Sequence, residues 1–139
     1  MILLDTSGVL AALFEDQRHH RACASALLDA EPPLILSPFV LAEIDYLIQK
    51  FGGTKAELLF LEDVGRGAYD LATFDVHDVA QARKVVENYS DIDIGLADAS
   101  IVVLAERYGC RDVLTLDHRH FHAFRFSRRR SFRILPATA

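Results

Sequence analysis

Met1-Ile2-Leu3-Leu4-Asp5-Thr6-Ser7 is a short apolar run that ends abruptly in an acid and two hydroxyl residues. A continuous apolar run of this length suits a strand covered on both faces, as in a parallel sheet. Asp5 then stands at the carboxyl end of that strand, the edge where open parallel sheets bind ligands. Two roles fit it: cap of the following helix, or site carboxylate. A buried carboxylate is costly unless a cation lies beside it. The choice therefore turns on how many other acids reach the same edge.

Working outward, strand and helix patterns alternate. Ser7 to Phe14 and Arg21 to Ala30 read as helices, the second ending before Pro32-Pro33, and Leu34-Ile35-Leu36 reads as a strand. Ser37 and Pro38 form a strong helix start, cap then first-turn proline, for a helix that Gly52-Gly53 stops after Phe51. Thr54 and Glu57 fit a capping box that opens a further helix to about Val64. Tyr69 to Phe74 reads as a strand. Asp75 caps a helix whose Val76, Val79, Ala82, Val86 and Tyr89 share one face. Gly95 to Tyr108 is a strongly apolar helix closed by Gly109. Val113 to Leu116 is a strand, His118 to Phe124 a short helix, and Phe132 to Leu135 an edge strand. The alternation predicts an α/β fold, one domain over residues 1–139, with a mainly parallel sheet and right-handed crossovers.

With 51% apolar and 25% charged residues, the chain has the make-up of an ordinary globular domain. No apolar run approaches the ~18 residues of a membrane span, and the first residues lack the pattern of a signal peptide. Cys23 and Cys110 form no CxxC pair and read as small buried thiols, so a cytoplasmic location is expected. The net charge of −5 is unevenly spread: all 20 acids precede residue 118, whereas the final 22 residues carry six arginines and no acid. Such a tail is either a phosphate-binding patch or a solvated counterweight to an acidic body.

Three further acids point toward Asp5. Asp117 ends the apolar strand from Val113, repeating the logic of Asp5. On a helical wheel Asp98 falls between Ala105 and Val102, inside the apolar arc and opposite Arg107. The helix dipole favours a negative charge there by about 0.3–1 kcal/mol, less than the several kcal/mol that burying an unpaired charge costs. Asp98 therefore calls for a cation, either a metal ion or an internal basic side chain. Glu43 lies on the rim of the stripe formed by Val40, Ile44, Leu47, Ile48 and Phe51, whereas Asp45 points away and is expected to be a solvated surface acid. Four converging carboxylates cannot all stay ionised without compensation. An all-oxygen set suits Mg²⁺ or Mn²⁺ rather than Zn²⁺. Such sites serve phosphodiester chemistry, with one or two metals.

These elements resemble the PIN-domain ribonucleases, in particular the VapC-type toxins of bacterial toxin–antitoxin pairs. The resemblance rests on Leu3-Leu4-Asp5-Thr6-Ser7, on Ser37-Pro38-Phe39-Val40-Leu41-Ala42-Glu43, on Gly95-Leu96-Ala97-Asp98-Ala99-Ser100, and on Leu114-Thr115-Leu116-Asp117-His118-Arg119-His120-Phe121. It implies a PIN-like α/β/α sandwich and a Mg²⁺- or Mn²⁺-dependent endoribonuclease cutting structured RNA, transfer or ribosomal. It also implies a homodimer silenced by a cognate VapB-type antitoxin. Carried over by position, Asp5 and Asp98 match direct metal ligands. Asp117 matches a further ligand and Glu43 a ligand acting directly or through water. Thr6 and Thr115 match residues that hydrogen-bond the acids. The histidine- and arginine-rich run after Asp117 departs from a plain pattern and bears on where its side chain points.

Several residues stay open between two roles. Arg119 either holds an RNA phosphate or is simply exposed. Arg128, Arg129 and Arg130, interleaved with Phe124, Phe126 and Phe132, either bind RNA or flank core phenylalanines. Tyr46, Phe51, Leu58, Leu59 and Leu61 are either core or a docking face. His118, His120 and His122, which lack a zinc-protease spacing, either bind a metal or act as general acids, or form a polar helix start beside an anionic site. Rival functions are a haloacid-dehalogenase-type phosphatase, a receiver domain, a PIN-like module that binds without cutting, and a metal-free, histidine-driven ribonuclease. The first wants an acid where Ser7 stands. The second wants a late lysine, and the last lysine here is Lys84.

Overall fold

The computed structural model describes residues 1–137. Strand β1 (Ile2–Leu4) is followed by helices α1 (Thr6–Leu13) and α2 (His20–Asp29), then by strand β2 (Leu34–Leu36). Helix α3 (Pro38–Gly65) leads to strand β3 (Asp70–Leu71). Helices α4 (Val76–Asn88) and α5 (Leu96–Tyr108) lead to strand β4 (Asp112–Leu114). Helix α6 (His118–Ala123) comes next, then an antiparallel hairpin of β5 (Arg125–Phe126) and β6 (Arg130–Ser131), and finally strand β7 (Arg133–Leu135). The centre is a five-stranded, wholly parallel sheet of order β3-β2-β1-β4-β7. The chain steps outward from β1 to β3, then crosses back to β4. Right-handed crossovers therefore cover opposite faces before and after that reversal, giving an α/β/α sandwich.

Strand β1 sits in the middle because its side chains are apolar on both faces. Ile2, Leu3 and Leu4 are each at most 1% exposed, and burial of this kind contributes about 1.5–3 kcal/mol per side chain. Gly8 lets α1 lie directly on β4, since a Cβ there would come within 2.6 Å of the Leu114 carbonyl oxygen. Ser37 caps α3 by accepting from the Phe39 amide at 3.1 Å. Asp75 caps α4 in a reciprocal capping box with Asp78.

Several expectations need correction. The two helices read on either side of Gly52-Gly53 are two arms of α3, joined through a bend at Gly53 (φ 82°). Glu57 is not the arm of a capping box: it lies against Asp45, and that neighbouring carboxyl raises its pKa. Asp45 is accordingly no freely solvated acid, because its Oδ1 is buried without a partner. Strand β3 is two residues long, not six, since it pairs on one side alone and turns at once toward the α4 cap. The α4 stripe stands at Ala82, Val86 and Tyr89, which pack on the core, but Val76 and Val79 in the first turn are exposed. Strand β4 ends at Leu114, two residues short of Leu116. Phe124, Phe126 and Phe132 are core residues, whereas Tyr46, Phe51, Leu58 and Leu59 on α3 are all about 60–70% exposed.

Candidate active site

The reversal of strand order falls between β1 and β4, the switch point at which parallel sheets open a crevice. Asp5 leaves the end of β1 there, and Asp117 follows β4 by way of Thr115 and Leu116. Asp98 enters from the first turn of α5, and Glu43 from the second turn of α3. All four line one cleft of about 560 Å³, together with Thr6, Ser7, Gln17 and His120. Among the described residues, no lysine or arginine lines it.

Asp5 is 6% exposed and embedded in hydroxyl groups. Thr115 donates to its Oδ2 at 2.6 Å and Ser7 donates to the same oxygen at 3.0 Å. The two hydroxyls are held in turn. Ser7 Oγ accepts from the Leu116 amide at 2.9 Å, and Thr115 Oγ1 accepts from the Asp117 amide at 2.9 Å. This network ties the end of β1 to the segment after β4. Thr6 Oγ1 donates to Glu43 Oε1 at 2.5 Å, fixing the acid that α3 contributes. Ser37 and Ser100, buried and 2.6 Å apart, lock the start of α3 to the first turns of α5. Glu43 and Asp98 are thereby positioned together.

Burial raises the Asp5 pKa from 3.8 to about 6; the hydroxyl donors oppose that rise and the Asp98 charge adds to it. Asp98 is also raised, first by burial and then by Asp117 and Glu43, against a lowering by His120. The acids thus act on one another electrostatically, and the cleft by itself disfavours its own ionised form.

His120 is a site residue that the spacing of the histidines does not single out. Its Nδ1 lies 2.7 Å from Asp117 Oδ2 and 3.8 Å from Asp98 Oδ2, and its Nε2 donates to the Ile92 carbonyl at 3.2 Å. Asp117 Oδ1 accepts from the His120 amide at 3.1 Å, capping α6. Both carboxylate oxygens of Asp117 are therefore engaged by one residue. Ser7 is a second polar partner beyond the expected set; the visible signal is a hydroxyl two residues after the strand-end acid. Arg119 is exposed on α6, and Arg128 to Arg130 lie on the hairpin, outside the cleft.

Among the described residues, no three His, Cys, Asp or Glu side chains stand close enough to form a closed metal cage. Mg²⁺ does not need one, since it keeps several waters and takes one or two carboxylates. The all-oxygen donor set, the raised pKa of Asp5 and Asp98, and the room in the cleft fit such an ion.

The PIN domain family model matches residues 2–126. Ribonuclease VapC26 of Mycobacterium tuberculosis is 39% identical over 135 residues, 97% of this chain and all of that protein. Among solved structures, VapC20 of Mycobacterium tuberculosis, a sarcin–ricin loop cleaving toxin, superposes with a TM-score of 0.79 at 17% identity, over 86% of this chain and 92% of the other. The DNA-bound VapBC of Salmonella typhimurium gives 0.66 at 19% identity, over 96% and 95%. A toxin–antitoxin complex from Klebsiella pneumoniae gives 0.67 at 18%, over 89% and 92%. Sheet order, cleft position and sequence agree, and the chain belongs to the PIN-domain family, in its VapC branch.

Proposed function

We propose that this protein is a metal-dependent endoribonuclease toxin that cuts structured RNA, transfer or ribosomal, and is held inactive by a cognate VapB-type antitoxin. The observation that carries the reading is the meeting of Asp5, Glu43, Asp98 and Asp117 in one cleft, lined by no lysine or arginine among the described residues, at the switch point of the sheet. Mg²⁺ or Mn²⁺, when bound, supplies an activated water and charge neutralisation at the scissile phosphate. Asp5 and Asp98 hold the metal, with Asp117 and Glu43 as further ligands, directly or through water. Thr115 and Ser7 keep the Asp5 carboxylate turned into the cleft, and Thr6 does the same for Glu43. Arg119, Arg128 and Arg129 contact RNA.

The kinship to a protein named ribonuclease supports the reaction class. The antitoxin partner is supported by the toxin–antitoxin complexes among structural relatives. The exposed Tyr46, Phe51, Leu58 and Leu59 of α3 offer an apolar face for that partner or for a homodimer. No helix among the described residues is long and apolar enough to cross a membrane. Both cysteines are free and buried, in keeping with the proposed cytoplasmic location.

The test is cleavage of total bacterial RNA by the purified protein with Mg²⁺ or Mn²⁺, with EDTA, and beside Asp98→Asn. Defined fragments that require both metal and Asp98, with 5′-phosphate and 3′-hydroxyl ends, are expected. Cleavage that persists in EDTA and leaves 2′,3′-cyclic ends would overturn the metal reading. Tight RNA binding with no cleavage of folded transfer RNA or intact ribosomes would favour the binding-only module.

A further inference from the structure

A bound metal in the acidic cleft meets the scissile phosphate alone. The cleft lining contains Asp5, Glu43, Asp98 and Asp117 and, among the described residues, no lysine or arginine, so attraction for the flanking phosphates has to come from elsewhere on the molecule. Of the six arginines from Arg119 to Arg133, three are already engaged. Arg133 pairs with Asp112 at 2.6 Å. The Arg125 guanidinium donates to the carbonyls of His122 and Phe124. Arg130 lies over the Phe126 ring at 5.5 Å. Among the described residues, Arg119, Arg128 and Arg129 make no side-chain hydrogen bond, ion pair or ring contact.

Arg128 and Arg129 crown a turn of unusual backbone. Ser127, Arg128 and Arg129 have φ of 28°, 54° and 65°, three consecutive non-glycine residues in the left-handed region. Such strain persists where the surroundings over-determine it. Here they do: Phe126 and Phe132, 4.8 Å apart, pack with Phe121 and Phe124 beneath the turn, and the Arg130 amide closes it onto the Ser127 carbonyl at 3.2 Å. Beside the turn runs a groove of about 680 Å³ between the hairpin, α4 and α5. Arg129, Lys84, Gln81 and Asn88 line it. Of its two acids, Asp78 is paired with Arg107 at 2.7 Å, and Glu106 remains.

Two helices lead from the cleft toward the groove and the turn. Helix α5 offers Asp98 to the cleft from its first turn and lines the groove from Val102 onward, about 6 Å further along its axis. Helix α6 runs about 9 Å from Asp117 to the hairpin and carries Arg119 on its exposed side.

We propose that the arginine turn Ser127 to Arg129 and the adjoining groove form a second RNA-contact site, outside the cleft, that grips the phosphate backbone without reading bases. The inference rests on the ribonuclease reading and names where the substrate is held. Stacking is excluded as its mode, because the neighbouring phenylalanines are buried in the core. The contact is therefore tolerant of base sequence and sensitive to salt.

Arg128→Gly/Arg129→Gly tests it, since glycine suits the left-handed backbone and removes both charges without endangering the fold. The probe is a fluorescein-labelled RNA hairpin of about 30 nucleotides. Its Kd is measured from 0.05 to 1 M salt in an Asp98→Asn background, so that the RNA stays intact. The slope of log Kd against log salt should fall by about one per arginine removed. For the pair this is about a hundredfold in affinity between 1 M and 0.1 M salt. The effect should be equal for hairpins of unrelated sequence, and Arg128→Lys/Arg129→Lys should restore it. An unchanged slope in the glycine variant overturns the proposal. So does intact RNA binding accompanied by loss of binding to an acidic peptide, which would assign the turn to a protein partner. Arginine-dependent binding with no cleavage by the wild-type chain refutes the nuclease reading and leaves the contact site standing. Cleavage with arginine-independent binding does the reverse.

Discussion

Replacing Asp5 with asparagine should stabilise the metal-free protein, although Asp5 is proposed as a metal ligand. In the folded chain its pKa stands at about 6 rather than 3.8, so the fold prefers the protonated form. That difference corresponds to about 3 kcal/mol at ~1.4 kcal/mol per unit. The sign follows from linkage. Below pH 3.8 the carboxyl is protonated folded or unfolded, and nothing is lost. As pH rises from 3.8 through 6, the unfolded chain releases its proton first and stability declines. Above 6 the whole penalty is present. The replacement amide is neutral throughout and can still accept from Thr115 and Ser7, at a cost of about 1 kcal/mol for weaker hydrogen bonds. The net gain at pH 8 is about 2 kcal/mol, or ~6–8 °C in Tm for a chain of this size. The assay is thermal unfolding in EDTA, wild type beside Asp5→Asn, from pH 4 to pH 8. The gap should grow between pH 4 and pH 6, reach its full size above pH 6, and vanish or slightly reverse at pH 4. A variant that melts lower at pH 8, or a gap that does not vary with pH, would refute the electrostatic account of the cleft.

Mg²⁺ at a hundred times its Kd should raise wild-type stability by about 2.7 kcal/mol; a thermal shift of equal size in Asp98→Asn would place the ion elsewhere. His120→Ala frees Asp117 from its 2.7 Å contact and should slow cleavage about 10–100-fold while RNA Kd stays constant, as single-turnover kinetics and binding would report. Thr115→Val removes the 2.6 Å donor to buried Asp5 and the acceptor for the Asp117 amide; the urea midpoint should drop by the equivalent of about 1.5–3 kcal/mol. Gly8→Ala would drive a Cβ to 2.7 Å from Leu114 Cγ and 2.6 Å from its carbonyl oxygen. Overpacking should cost about 1–3 kcal/mol despite the better helix propensity, and an unchanged urea midpoint would show that α1 can slide on β4.

Much of the architecture is legible in the sequence because it rests on local rules. The apolar runs of β1 and β2, the Ser37-Pro38 start of α3 and the Gly109 end of α5 are each decided by a few neighbouring residues, and each stands where the pattern puts it. The strand-end position of Asp5 follows from the same rules, as does the inward tilt of Asp98, whereas Asp117 lies three residues beyond the end of β4 and caps α6. Reading fails where position along the chain says nothing about what lies across it. The helical wheel leaves Asp45 in solvent because the bend at Gly53 that brings Glu57 against it is a tertiary event. Tyr69 to Phe74 carries strand residues, but an edge position gives them one neighbour.

The sequence by itself determined which residues could supply acid, hydroxyl and cation, and that parallel strands would carry two of the acids to one edge. Only the tertiary structure decided that Ser7 and Thr115, 108 positions apart, would share the Asp5 carboxylate. It also decided that His120 would hold Asp117 beside Asp98, and that the late phenylalanines would turn inward and leave the arginines out. The physical reason is range. Backbone periodicity and caps act over a few residues, whereas burial, charge coupling and hydrogen bonding depend on distances in space that strand order and helix packing alone establish.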